Sequence, residues 1–273
     1  MALYPCSSRS ARAAPAKIRP ALHNKDIIRI CLIVPCYNEA QRLNLDAFRQ
    51  FLMRCAHMHI LFIDDGSYDN TVTLLGALTS EFPGTTSLLR LPVNRGKAEA
   101  VRAGIVHALE NFRPEIVGFW DADLATPLDL LPNLLVVLDA NPNIEMVFGA
   151  RVQLLGRRVE RRALRHYLGR VFATAVSTML RLAVYDTQCG AKLFRVTPET
   201  PKIFGEPFLS RWVFDVEILA RYLAAFGHDV QRLERAVYEY PLEVWTDIAG
   251  SKVHASDFFT AFWDVYRIHR KYL

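Results

Sequence analysis

Short apolar runs alternate with stretches of helical periodicity through the first half of the chain. "IIRICLIVPCYNE" (27–39) is rich in β-branched residues and reads as a buried strand stopped at Pro35 and running into a turn. "LDAFRQFLMRC" (45–55) sets Leu45, Phe48, Phe51, Leu52 and Cys55 on one helical face. "HILFIDDGSYDNT" (59–71) predicts a strand and a turn, and "DNTVTLLGALTSEF" (69–82) a helix capped by Asp69 or Asn70. "TTSLLRLP" (85–92) is a short strand, and "NRGKAEAVRAGIVHALENF" (94–112) a helix opened by Gly96. "EIVGFWDAD" (115–123) is a strand, "PLDLLPNLLVVLDAN" (127–141) a helix starting at Pro127, and "IEMVFGAR" (144–151) a final strand.

This alternation predicts an α/β fold with a mostly parallel sheet flanked by helices on both faces. In such sheets ligands collect beyond the carboxyl ends of the strands. The polar stretches "YNE", "DDGS", "NRGK", "DAD" and "GAR" all fall at those ends. The second half is less regular. "RRVERRALRHYLGRVFATAVSTMLRL" (157–182) reads as one long helix, basic first and apolar later. "YDTQCGAKLFR", "SRWVFDVEILARYLAAFG" and "VWTDIAGSKV" follow, and "SDFFTAFWDVYRIHRKYL" (256–273) forms an amphipathic helix. That helix has two readings: packing on the domain, or lying at a membrane surface with Trp and Tyr at headgroup depth.

Composition narrows the classes. The 273 residues are 51% apolar and 22% charged, as expected of one large soluble domain with appendages. The organisation expected is a basic, disordered arm over 1–26, a catalytic domain over 27–253 and the C-terminal helix over 254–273. A transit peptide is the rival reading of the arm. A net charge of +5 suits an anionic ligand or a membrane surface, and no nucleic-acid-binding motif accompanies it. Five cysteines without a C-x-x-C pair argue against disulfides and structural zinc, and for reduced thiols in the cytoplasm. No stretch reaches the ~18 apolar residues of a membrane span.

The chemistry centres on "GFWDADLATP". Asp121 and Asp123 are either a carboxylate-rich turn ending a strand or a cation site; alternate residues of an extended segment point the same way, so the two can converge. Mg²⁺ or Mn²⁺ takes such oxygen ligands and shares them with substrate phosphates. Asp64 and Asp65 would by default cap the D-D-G-S turn. Gly96 permits close backbone approach at a helix N-terminus, a natural anion site within reach of Lys97. Arg161 and Arg165 share a helical face in a run of arginines that otherwise reads as a solvated surface. Trp212 and Phe214 read as core, and Asp186, Gln188 and Cys189 as a loop. His57 and His59 lack carboxylate neighbours for a metal role; His166 lies among the arginines, within reach of a phosphate.

In sequence, "VPCYNE", "DDGSYDNT", "NRGKAEAVRAG", "DADLATP", "GAR", "YDTQCGAKLFR", "RWVFDVEIL" and "WTDIAGSK" resemble the family-2 glycosyltransferases of the GT-A fold. Within that family the likeness is to dolichyl-phosphate β-glucosyltransferases and their bacterial polyprenyl-phosphate relatives, from about Ile28 to Lys252. The resemblance implies a Rossmann-like GT-A sheet with a helical acceptor-side segment. It also implies transfer of a hexose, glucose from UDP-glucose, onto a polyprenyl phosphate, with Mg²⁺ or Mn²⁺ as cofactor and contact with the cytoplasmic membrane face. It makes Asp123 the direct metal ligand, with Asp121 on the metal or the ribose. Asp65, ahead of Asp64, would meet the base; Pro35, Tyr37 and Glu39 would wall the uracil and ribose. Gly96, Lys97, Ala122, Ser251 and Lys252 would hold the donor. Arg151 with Arg161, Arg162 and Arg165 would hold the acceptor phosphate, Gln188 would face the acceptor, and Asp215 is the candidate if a base is needed. Related mannosyltransferases often carry Gln where Ala125 stands, which points to the glucosyl branch. Three rivals are a hydroxyl-directed glycosyltransferase, a sugar-nucleotide-binding protein without turnover, and a nucleotidyltransferase on a similar sheet.

Overall fold

The computed structural model describes residues 28–55, 57–160, 163–248 and 256–273, without the side chains of 160, 163–168 and 256–259. Strands and helices alternate through β1 (Ile30–Cys36), α1 (Leu45–Arg54), β2 (Met58–Asp64), α2 (Thr71–Glu81), β3 (Thr86–Arg90), α3 (Lys97–Asn111) and β4 (Ile116–Trp120). A 3-10 turn (Leu128–Leu130) leads into α4 (Leu131–Ala140) and β5 (Met146–Ala150). Then come β6 (Arg158–Glu160), α5 (Ala163–Leu180), β7 (Ala191–Arg195), α6 (Thr200–Gly205), α7 (Phe214–Ala225) and α8 (Val230–Ala236). β8 (Val237–Pro241), β9 (Val244–Thr246) and α9 (Ser256–Tyr272) complete the order.

Seven strands form one sheet in the order β3-β2-β1-β4-β7-β5-β8. β1 to β4 pair in parallel, as alternation with helices requires, while β7 inserts antiparallel between β4 and β5. The sheet is therefore mixed where the second half of the chain enters it. Both faces are covered, which is why the strands read as continuous apolar runs. Within β1, Cys31 and Ile33 face a core with α3, α5, α6 and α7; Ile30, Leu32 and Val34 face a core with α1, α2 and α4.

Three sequence expectations need correction. β1 continues through Pro35 to Cys36; pairing with β4 ends at Ile33, so the missing N–H costs no ladder bond on that side. The segment 157–182 is not one helix: Arg158–Glu160 pair in parallel with Val244–Thr246, burying Val159, and the helix starts at Ala163. Pro127 opens a 3-10 turn before α4 rather than the α-helix itself. At α2, Asp69 does the capping: its carboxylate accepts from the Thr71 N–H at 2.9 Å, whereas Asn70 makes no side-chain cap bond.

Candidate active site

A cleft of about 570 Å³ opens where the carboxyl ends of β1, β2, β4 and β5 meet segments of the second half. It gathers Pro35, Tyr37, Glu39, Asp65, Gly96, Lys97, Asp121, Ala122, Asp123 and Arg151 from the first half. The polar stretches that the alternation placed at the strand ends thus come together. From the second half come Gln188, Trp212, Asp215 and Trp245, with Phe172 of α5 and Ala261 of α9.

One side of the cleft is built by backbone geometry. Asp65 leaves the end of β2 and staples the loop before α3. Its carboxylate accepts from the Arg95 N–H at 2.8 Å, the Gly96 N–H at 2.7 Å and the Asn94 amide at 3.0 Å. Burial pushes its pKa up, against the pull of those two N–H groups. Asp64 is buried, accepts from the Ser67 N–H, and does not line the cleft. Gly96 caps α3 at φ +94°, and a Cβ there would come within 2.6 Å of the Arg211 Nε. Glu39 is nearly buried, its N–H donates to the Thr71 hydroxyl, and its carboxylate lies 3.5 Å from Arg42. Tyr37 stands edge-on to Tyr68.

Asp121 and Asp123 sit in a turn, not in an extended segment. The Leu124 N–H donates to the Asp121 carbonyl, and Leu124 takes φ +53°. The pair is brought together by that turn rather than by strand alternation. Lys97 Nζ lies 2.5 Å from Asp121, and Arg42 donates to Asp123 at 2.7 Å. The proton affinities of the two carboxyls are shifted in opposite directions. Burial works to raise Asp121, but Lys97, with Lys192 and Arg151 behind it, outweighs burial and lowers it. Burial raises Asp123, and the Asp121 charge raises it further. Backbone packing fixes Asp121: its N–H donates to the Gly190 carbonyl at 3.0 Å, and a Cβ at Gly190 would fall inside its carboxylate.

Two carboxylates on a turn facing a cleft are hard oxygen donors that fit Mg²⁺ or Mn²⁺. Among the described residues no group of three or more His, Cys, Asp and Glu side chains is placed to hold a metal. His59 is not a ligand; it is buried beside Phe112 and bonds Ser87 at 2.8 Å.

Buried charge builds the other side. Arg151 makes a forked contact with Asp186, at 2.6 and 2.7 Å, and its guanidinium lies 5.3 Å from the Trp245 ring centre. Asp186 is held by the same side chain that holds Tyr185: Glu239 accepts from both N–H groups. Lys192, 1% exposed in the middle of the sheet, donates to the Thr187 and Cys189 carbonyls and lies 3.0 Å from Asp215. Asp215 and Glu217 belong to the first turn of α7. Burial raises the Asp215 carboxyl against Lys192 and Lys97. Burial raises the Cys189 thiol as well, away from the thiolate form that a nucleophile needs.

Trp212 corrects another expectation. It is 43% exposed on the cleft, whereas Phe214 is core. Arg161, Arg162, Ser251 and Lys252 lie outside the described residues, as do the side chains of Arg165 and His166. Sequence reasoning passed over Arg42, Gly190, Lys192 and Arg211. Only Lys192 carried a signal, a lysine inside the apolar strand "AKLF" with an aspartate available elsewhere to neutralise it.

The sheet, its covering helices and the cleft at the strand ends define a GT-A glycosyltransferase fold. The UDP-glucose, Mn²⁺ and phosphoglyceric acid complex of Mycobacterium tuberculosis glucosyl-3-phosphoglycerate synthase shares it, with a TM-score of 0.62 and 17% identity over 92% of this chain and 84% of that one. Residues 31–199 match the model of glycosyl transferase family 2, and the chain belongs to that family. A dolichyl-phosphate β-glucosyltransferase of Trichomonas vaginalis is 33% identical over 249 residues, covering 87% of this chain and 72% of the relative. One of Dictyostelium discoideum is 35% identical over 264 residues, covering 91% and 76%.

Proposed function

We propose that this enzyme transfers glucose from UDP-glucose to a polyprenyl phosphate with inversion at the anomeric carbon. The observation that carries the reading is the Asp121–Asp123 turn beside Lys97, in a cleft whose far wall holds Phe172, Trp212 and Ala261. Anion-handling groups and apolar groups share one cavity, as a phosphorylated lipid requires. The named relatives are dolichyl-phosphate β-glucosyltransferases, which supports the same sugar and acceptor class.

In this reading Asp65 meets the uracil, Glu39 the ribose, and Pro35, Tyr37 and Ala122 line the nucleotide. The α3 N-terminus at Gly96, with Lys97, lies against the diphosphate, where a helix end and a cation both favour negative charge. Asp121 and Asp123 would hold Mg²⁺ or Mn²⁺, which supplies Lewis-acid neutralisation of the departing diphosphate. The acceptor is ionised at neutral pH, so no base need deprotonate it. One phosphate oxygen attacks the anomeric carbon as its bond to the diphosphate oxygen breaks; UDP departs and an α donor gives a β product. The transition state carries oxocarbenium character. The chain's task is to bring two anions together. Lys97, paired with Asp121, and Arg151, whose charge also acts on Asp121, provide fixed positive charge, and Asp186 sets the orientation of Arg151. Arg161, Arg162 and Arg165 belong to the proposed acceptor-phosphate site, with Gln188 at its edge; Ser251 and Lys252 belong to the donor site. Asp215 acts through its pair with Lys192, holding the 187–189 loop in place.

The test incubates the full chain with UDP-glucose, Mg²⁺ and a short prenyl phosphate and identifies the glycolipid by mass spectrometry. Product dependent on the divalent cation is expected. Turnover only with hydroxyl acceptors, or nucleotide binding with no product, overturns the reading.

A further inference from the structure

Helix α9 is apolar on two faces. Val265 and Ile268 are buried against the core, with Ala261 and Tyr272 on the same inward side at helical spacing. The outward side carries Phe262, Trp263 and Tyr266, exposed by 42%, 61% and 48%. A helix that merely packs on a domain presents polar residues to water. Here the solvent side is aromatic for a full turn, with the Trp263 and Tyr266 rings 5.4 Å apart.

Charge and position identify what covers this face. The last turn of α9 is basic, with Arg270 and Lys271 exposed. From residue 260 onward the one carboxylate side chain is Asp264, which is buried and paired with Arg267 at 3.1 Å. Aromatic rings followed by exposed positive charge match the headgroup layer of an anionic bilayer, where Trp and Tyr settle at the interface and Arg and Lys meet lipid phosphates. No helix among the described residues is long and apolar enough to cross a membrane. The face is also continuous with the cleft. Ala261 lines the cleft one residue before exposed Phe262, and Phe172, another lining residue, meets the Phe262 ring edge-on at 5.9 Å.

We propose that the outward face of α9 lies in the headgroup layer of an anionic membrane, and that the lipid acceptor reaches the cleft along Phe172 and Ala261. The route rests on the function proposed above; the docking face does not. A bilayer-seated α9 lets the acceptor's chain stay in lipid while only its phosphate end enters the cleft.

The test uses the full chain and vesicles of phosphatidylcholine with and without phosphatidylglycerol. Binding is expected to the anionic vesicles and to weaken with salt. The double variant Trp263→Ser/Tyr266→Ser is expected to lower the bound fraction about tenfold. Its melting temperature and its thermal shift with UDP should match the parent's, since both side chains face outward. Arg270→Glu/Lys271→Glu should give a similar loss by charge alone. The aromatic variant should still glucosylate a short water-soluble prenyl phosphate and lose transfer to a long-chain one held in vesicles. Loss of vesicle binding without transfer to any prenyl phosphate supports the docking face and counts against the proposed function instead. Unchanged vesicle binding by both variants overturns the docking face. So does a dimer in light scattering that the aromatic variant converts to monomer while vesicle binding stays the same, because a second copy would then cover α9.

Discussion

The two walls of the cleft are made by different physics. The wall formed by β1, β2, α3 and β4 is set by backbone: parallel strand ends, a left-handed glycine at 96, a turn at 121–124, and one carboxylate, Asp65, stapling a loop through N–H groups. The wall facing it is set by buried side-chain charge: Lys192 with Asp215, and Asp186 with Arg151 from the end of β5. Backbone construction tolerates loss of one side chain, because the neighbouring ladder still holds the chain. A buried ion pair does not, because removing one partner leaves an uncompensated charge in a medium that cannot solvate it.

The sharpest test of that contrast is Lys192→Met. It strands Asp215 and withdraws the donor from two carbonyls, and should cost about 3–5 kcal/mol in denaturant unfolding. Adding Asp215→Asn should recover part of the loss. A cost below ~1 kcal/mol would end the comparison.

Next in size is Asp123→Asn on the backbone-built wall. The fold should survive, while product formation falls about 10²–10³-fold. The pH profile adds a sign. Asp123 is raised, so on acidification it takes up a proton above the ordinary ~3.9 of an aspartate, whereas Asp121 holds its charge to lower pH. Cation-dependent activity should therefore fall on the acid side through Asp123 first; in Lys97→Met, which removes the group lowering Asp121, that acid limb should move up.

Gly96→Ala comes third. The residue sits at φ +94° against the Arg211 guanidinium, so a methyl group there should cost about 1–3 kcal/mol. The loss should also appear as a smaller thermal shift with UDP. A variant as stable as its parent would mean that the loop ahead of α3 rearranges freely.

The smallest effect is expected at Asp69→Ala, which removes the α2 cap for about 1 kcal/mol at neutral pH. Burial works to raise the Asp69 carboxyl, but bonds from Thr71 and Ala40 outweigh it and lower the pKa. A depressed carboxylate stabilises the fold above its unfolded pKa. The difference between parent and variant should accordingly persist to mildly acidic pH and vanish as pH falls through the folded value.

The first wall was legible because its signals are local. Strand runs, the caps of α2 and α3, and the polar ends "YNE", "DDGS", "NRGK" and "DAD" each occupy a few consecutive residues. Their convergence follows from one rule about parallel sheets. Where local reasoning failed, a distant partner decided the outcome. Arg158–Glu160 read as helix because nothing nearby reveals that Val244–Thr246 lie alongside. Trp212 read as core because only the tertiary fold turns it toward the cleft.

The sequence by itself determined the α/β alternation, the place of the site at the strand ends and the residue types that meet there, since hydrophobic period and turn chemistry act over one or two turns of chain. Only the tertiary structure decided that β7 runs antiparallel, that Lys192 neutralises Asp215, that Gly190 makes room for Asp121, and that α9 keeps an aromatic face outward. Those outcomes depend on contacts between residues far apart in the chain, where burial and Coulomb energy are fixed by geometry that no short window contains.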